Sequence, residues 1–175
     1  MEIALPTFTT ERVRLRPYKP ADLEPIAAIH ADPLAMRFMG SGETYSHAQS
    51  AGYLKRHFAN AANPEHVWAI ALKESDLLIG RSGVLECDVA GTTEIEIGYL
   101  LAQEQWGKGY ATEVARELVR IGFAELGYER LIAMTHPDNQ GSIRVIEKSG
   151  FAFERLVELE KGPRLIFGQH APTTA

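Results

Sequence analysis

The chain carries 175 residues, 45% of them apolar and 23% charged, with a formal net charge of −5 and a pI near 5.7. That length fits one domain over residues 1–175, with a core at about 10–170, and the ordinary composition excludes a disordered, collagen-like or coiled-coil chain. The acidic balance argues against a nucleic-acid partner held through its phosphates and suits a small cationic or amine partner better.

The single cysteine, Cys87, excludes an internal disulfide and a zinc site of the CxxC kind, and fits a reducing compartment. Met1-Glu2-Ile3-Ala4-Leu5-Pro6 lacks the basic start and apolar run of a signal peptide. No stretch approaches ~18 consecutive apolar residues, so a cytoplasmic protein with no membrane partner is expected.

Val13-Arg14-Leu15-Arg16 alternates as a strand, and Pro17 and Pro20 stop it before a helix with Leu23, Ile26, Ala27 and His30 on one face. Asp32-Pro33 ends that helix. Gly40-Ser41-Gly42 marks a loop, and Ser46 is the expected cap of a second helix running to about Asn60. Three strands follow at 67–72, 77–85 and 93–101, joined by turns short enough to make them antiparallel. Ala111, Val114, Ala115, Leu118, Val119, Gly122, Phe123 and Leu126 then repeat at steps of three and four, the strongest helix signal in the chain, with Gly127 as its stop. A strand at 131–135, a helix at 139–149 ended by Gly150, and strands at 151–159 and 164–168 complete the pattern, with a loose tail from His170. The expected fold is mixed α/β, with seven strands in one sheet and helices on both faces.

Trp106-Gly107-Lys108-Gly109-Tyr110-Ala111-Thr112 lies between a strand and that strongest helix. Small residues at 107, 109 and 111 let backbone N–H groups approach a ligand, and the helix N-terminus adds partial positive charge, which together suit a pyrophosphate. Lys108 adds a formal charge. A Walker A loop and a full Rossmann Gly-x-Gly-x-x-Gly are both absent. Standing alone, the segment reads equally as a tight strand-to-helix turn without a ligand.

The segment from Trp106 to Ala111 resembles the Gln/Arg-x-x-Gly-x-Gly/Ala pattern of the GNAT superfamily of N-acetyltransferases, with Trp106 departing at the first position. Glu96-Ile97-Gly98-Tyr99 before it, and Asn139-x-x-Ser142-x-x-Val145-Ile146-Glu147-Lys148-x-Gly150-Phe151 after it, are similar to the RimJ/RimL branch. Arg12 to Pro17 resembles the family's first strand. The resemblance implies a mostly antiparallel sheet splayed between the fourth and fifth of its seven strands, with acetyl-CoA as cosubstrate entering the gap. Its pantetheine arm would pair with Tyr99, Leu100 and Leu101 as an added strand. Its pyrophosphate would rest on the amides of Gly107, Lys108, Gly109, Tyr110, Ala111 and Thr112, beside Trp106. Asn139 and Ser142 would face the arm from the other side.

Attack of an amine on a thioester needs a neutral nitrogen. Deprotonating a lysine of pKa ~10.4 at pH 7 costs about 4.6 kcal/mol, whereas an α-amine near ~7.8 costs about 1 kcal/mol. A weak or water-relayed base therefore suffices for an α-amine. Glu94 and Glu96 are two apart on one strand and share a face. Glu96 matches the branch's glutamate and is the expected general base through water, with Glu94 second; either also reads as a solvated or ion-paired carboxylate. Many GNAT enzymes place a general-acid tyrosine where Ile146 stands here, and Ser142, one turn earlier, is the expected substitute. A backbone N–H of Tyr99 or Leu100 would polarise the thioester oxygen. Asn139 also reads as a helix cap, and Trp106, Tyr99 and Tyr110 read as packing residues.

The six histidines, at 30, 47, 57, 66, 136 and 170, form no ligand set, so no metal is expected. The specificity walls implied by the resemblance are 32–45 and the final hairpin, where Asp32 and Glu43 would attract a cationic acceptor, either a protein N-terminal α-amine or a small-molecule amine. Two other readings stay open: a non-catalytic acetyl-CoA-binding sensor, and a nucleotide-binding module. Exposed sheet edges make a homodimer plausible.

Overall fold

The computed structural model describes residues 5–59 and 66–172. In chain order the elements are β1 (Phe8–Thr9), β2 (Val13–Arg16), α1 (Leu23–Ala31), α2 (Pro33–Met36), α3 (His47–Ala59), β3 (His66–Leu72), β4 (Leu78–Val89), β5 (Thr92–Leu101), α4 (Tyr110–Arg120), β6 (Arg130–Thr135), α5 (Gln140–Lys148), β7 (Ala152–Leu159) and β8 (Gly162–His170). The strands form one sheet in the order β1-β2-β3-β4-β5-β6-β8-β7. Every neighbouring pair is antiparallel except β5 and β6, which run parallel.

The eighth strand, beyond the seven expected, is β1. Two residues are too few to show alternation, and what makes it a strand is pairing, Phe8 with Leu15 and Thr9 with Arg14, helped by Phe8 lying edge-on to Trp68 at 5.7 Å. Asp32 ends α1 as expected but also starts α2: its Oδ1 accepts the Leu34 N–H at 2.9 Å, with Pro33 in the first turn where a missing N–H costs nothing. The expected end of the second helix, Asn60, lies outside the described residues. The strong helix is α-helical to Arg120 and then widens into a π turn at Ile121–Glu125, closed by Gly127 at φ 72°. The expected loose tail begins later than His170, because His170 pairs with Arg130 and the Ala171 N–H donates to Glu129 O at 2.9 Å.

Two apolar layers hold the sheet. On one face, α4 and α5 bury Val114, Ala115, Leu118, Ile121 and Ile146 against Ile97, Leu131, Ala133 and Phe167. On the other, α1 and α3 bury Ile26, Ile29, Tyr53 and Leu54 against Ala69, Leu78 and Leu100. Between the two halves of the sheet, β5 and β6 meet at a single register pair, Glu96 with Ile132. Beyond it the two parallel strands diverge, and the gap-side backbone groups of Ile97 to Leu101 have no partner on β6. The splay lies where the resemblance puts it, between strands that are fifth and sixth once β1 is counted.

Two polar clusters are sealed in the second layer. The Arg16 guanidinium is forked on Asp22 at 2.8 and 2.9 Å, with Asp76 at 2.8 Å. His30, with no solvent exposure, contacts Ser50 Oγ through Nδ1 at 3.1 Å and packs on Tyr45 and Tyr53. Burial, with the positive charge of Arg81, pushes its pKa down to about 4. Native His30 therefore stays neutral while the unfolded chain takes up a proton below about 6.5, so the stability it contributes falls as pH drops from about 6.5 towards 4 and then levels. His30 contributes on the order of 3 kcal/mol to that loss. Urea unfolding at a series of pH values should show the slope; His57, pushed down to about 4 by burial and the charges of Arg81 and Arg56, adds its share, so His30→Phe should lessen the slope without abolishing it. An unchanged slope in that variant would remove His30 as its source.

Candidate functional site

The glycine-rich turn enters α4 through left-handed backbone at Gly107 (φ 74°) and Gly109 (φ 86°), which favours glycine at both places. The first intrahelical bond runs from Glu113 N–H to Gly109 O at 3.1 Å, so the N–H groups of Tyr110, Ala111 and Thr112 have no partner within the helix. The turn is braced from the start of β2. Arg12 donates from Nε to Glu113 at 2.8 Å and from Nη1 to Lys108 O at 2.8 Å, and its guanidinium lies 4.6 Å over the Tyr110 ring. The Arg12 N–H and the Thr10 hydroxyl both donate to Glu113 Oε1. Sequence reading assigned no role to Glu113, and the donors that hold it are about a hundred residues away. Trp106 is half exposed, with its indole N–H donating to Leu101 O at 3.1 Å. The Lys108 ammonium is turned towards Gln105 Oε1 at 3.1 Å.

Glu96 stands where the sheet divides. The backbone N–H of Met134 across the gap and the charge of Arg164 on β8 both favour its ionised form, yet burial outweighs both and pushes its pKa up to about 7. Part of the residue still meets solvent through the opening. Glu94, two residues earlier on the same face, is engaged differently. Arg130 donates to it from Nε at 3.0 Å and from Nη2 at 3.2 Å, while also gripping Glu154 at 2.7 and 2.8 Å. Glu94 is thus an ion-paired strand carboxylate. Cys87, its register partner, is no nucleophile: burial, reinforced by the nearby Glu96 and Glu94 charges, pushes the thiol up to about 12.

On the α5 side the Tyr99 and Ser142 hydroxyls meet at 3.0 Å. Burial raises the Tyr99 phenol to about 12, with the Ser142 contact opposing. Asn139 caps α5, its Oδ1 accepting the Ser142 N–H at 3.2 Å. Ile146 is 1% exposed and belongs to the core, so no side chain there reaches the gap as an acid. Leu100 and Leu101 bury their side chains on opposite faces, leaving their gap-side backbone as the part of them that borders the opening.

The loop after α2 and the β8 strand form the far wall. The Tyr45 N–H donates to His30 O at 2.9 Å, Arg164 Nη2 donates to Gly40 O at 3.1 Å, and Phe38 stacks on His136 at 5.4 Å. Asp32 is occupied as the α2 cap, and Glu43 accepts a long 3.4 Å contact from Ser41. Arg164 and His136 carried no sequence motif, and only the folding of the hairpin over the gap gives them a place in the site. Among the described residues no group of three His, Cys, Asp or Glu side chains is arranged to hold a metal ion, and no helix is long and apolar enough to cross a membrane.

The sequence and the fold have counterparts among known proteins. Residues 12–152 match the acetyltransferase (GNAT) domain family. YoaA of Bacillus subtilis, an uncharacterized N-acetyltransferase, is 30% identical over 153 residues, 87% of this chain and 86% of its own. YkkB of the same organism, an uncharacterized protein, is 32% identical over 101 residues, so that the chain spans 59% of its length. An acetyltransferase structure from Agrobacterium tumefaciens superposes with a TM-score of 0.78 at 27% identity, covering 98% of both chains. RimJ of Mycobacterium smegmatis, in complex with CoA-disulfide, shares the fold with a TM-score of 0.74 at 18% identity, over 91% of this chain and 82% of its own. By its sequence match over most of its length and by its split sheet, the chain belongs to the GNAT family and is an acetyltransferase.

Proposed function

We propose that the chain moves an acetyl group from acetyl-CoA to a primary amine within a ternary complex, with Glu96 as the general base. The observation that carries this reading is the Glu96 carboxylate, buried at the division of the sheet with a pKa near 7, where a base is half deprotonated at working pH and strong enough to accept an amine proton. Acetyl-CoA supplies the activated acyl thioester. The residues present fit it: the unpartnered edge of Tyr99, Leu100 and Leu101 suits the pantetheine amides, and the amides from Gly107 to Thr112 suit a pyrophosphate. That the RimJ structure holds a CoA species on the same fold supports the cosubstrate, and that likeness, with the Glu-Ile-Gly-Tyr run, favours the RimJ/RimL branch.

In the transfer the amine nitrogen forms a bond to the acyl carbon as the carbon–sulfur bond breaks. One amine proton goes to Glu96 directly or through a water, and the departing thiolate takes a proton from the Ser142 hydroxyl, which Tyr99 holds in place, as the Ser142 oxygen takes one from solvent in the same step. A thiol of pKa about 8.5 leaves readily, so this acid is the lesser contribution.

Thermal unfolding is the first test. Acetyl-CoA at about 100 times its dissociation constant should stabilise the protein by about 2.7 kcal/mol. Gly109→Val should abolish that shift, since the position has φ 86° and an added Cβ would meet Arg12 Nη2 at 3.2 Å; no shift in the parent protein would sink the reading. Glu96→Gln should lower kcat/KM for amines by about 10²- to 10⁴-fold with the acetyl-CoA shift intact. It should also remove the rising limb that the deprotonation of Glu96 places near pH 7 in the parent profile; an unchanged limb would assign it to another group. Ser142→Ala should cost only about tenfold in kcat, read by thiol release, and a loss equal to that of Glu96→Gln would contradict the ranking of base over acid.

A further inference from the structure

We infer that Arg81 anchors a carboxylate on the acceptor, so that the acceptor is a small amine that also carries a carboxylate, of the amino-acid class, and neither a polyamine nor a protein N-terminus. The inference rests on the acetyltransferase reading and names the substrate class of that same site.

Register places the groups. On β5, Glu96, Gly98 and Leu100 point to the α1–α3 face; on β4 their partners are Leu85, Gly83 and Arg81. Arg81 therefore lies on the face of the proposed base, beside Leu100 and four strand positions from Glu96, roughly 13 Å along the sheet. Between the two rows stands a pair of glycines, Gly83 facing Gly98. A Cβ built on Gly98 meets nothing within 4 Å, whereas one on Gly83 would meet His66 O at 3.0 Å and the Val67 side chain at 3.3 Å, so the open part of the floor between base and guanidinium is the β5 side, above Gly98. With an acceptor bound, both long side chains would turn along this face towards each other, which shortens that span to the scale of a small amino acid.

Arg81 is also without its expected counter-charge. Its Nε is enclosed and has no hydrogen-bond partner, and among the described residues it takes part in no ion pair. It lies 5.1 Å over the Tyr53 ring, and its charge acts on His30 and His57 beside that ring, which carry none at neutral pH. An enclosed cation with an idle donor is costly to keep unless something arrives to use it. A guanidinium's planar fork matches a carboxylate with two parallel hydrogen bonds. The cation whose charge does act on the base, Arg164, donates to the carbonyls of Pro163 and Gly40 and serves the wall.

The test is thiol release from acetyl-CoA with the twenty common amino acids, each set against its decarboxylated amine, and with a short peptide as the third arm. The expected result is that the best amino acid exceeds its decarboxylated partner and the peptide at least 100-fold in kcat/KM. Arg81→Gln should raise KM for the amino acid about 100-fold, leave the decarboxylated amine unchanged, and keep the acetyl-CoA thermal shift. Arg81→Lys, which retains charge without the fork, should fall between, and it carries the test if Arg81→Gln does not fold. Equal turnover of the paired amines, a preference for the peptide, or a preference that survives Arg81→Gln would overturn the assignment and leave the acetyltransferase reading standing. No thiol release with any amine, or no acetyl-CoA shift, would defeat that reading and this one with it.

Discussion

Everything in the site depends on one constraint: two parallel strands that pair at Glu96 and Ile132 and nowhere else. Opening a sheet at its centre strips backbone groups of their partners, a cost the chain meets by anchoring each half separately. β5 is held along its whole length by β4, and β6 along its whole length by β8. α4 and α5 then clamp both halves on one face with side chains that are almost fully buried. What remains unpaired is a strip of strand edge facing an opening, which is a binding surface for another extended chain of amides.

The same division sorts two carboxylates that the sequence leaves nearly equivalent. Glu94 and Glu96 share a strand and a face, but Glu94 sits where β6 still supplies Arg130, and it is neutralised there. Two residues further the strands part, and Glu96 is left with a backbone N–H and a more distant arginine, which do not offset its desolvation. Its affinity for a proton is thus a property of the split, not of the residue type. The Tyr99 and Ser142 hydroxyl pair has a similar origin, since it exists only because β5 and α5 face each other where β6 has turned away.

Local chemistry made most of this fold legible. Periodicity gave α4, short turns gave the antiparallel β3–β5, and Gly127 and Gly150 marked helix ends with the left-handed backbone they in fact adopt. Two spaced motifs in order pointed to the turn at Gly107 and to α5. What could not be read was whatever depends on residues far apart in sequence: the pairing that makes β1 a strand, the Arg12–Glu113 brace, the Arg130 fork on Glu94, and the approach of Arg164 to the base. Each is a contact between side chains or strands that no local window contains. The extent of the tail was misjudged for the same reason, because the Ala171 bond to Glu129 lies across the sheet.

Net charge and local charge point to different acceptors here. A total of −5 suggested a cationic acceptor, with Asp32 and Glu43 as the attracting groups. Charges act over a screening length of about 8 Å at physiological salt, so a bound molecule responds to the few groups around it and hardly to the sum over the surface. Of the two acids, Asp32 is consumed as a helix cap and Glu43 lies out on the loop. On the face of the floor at Gly98, Glu94 is already paired with Arg130, which leaves one carboxylate of raised pKa and one arginine with an idle Nε. A polycation would have to bring positive charge against that arginine, at a cost that low local dielectric enlarges. A zwitterion offers each end of the floor its complement, and the uncharged surface between them is open above Gly98.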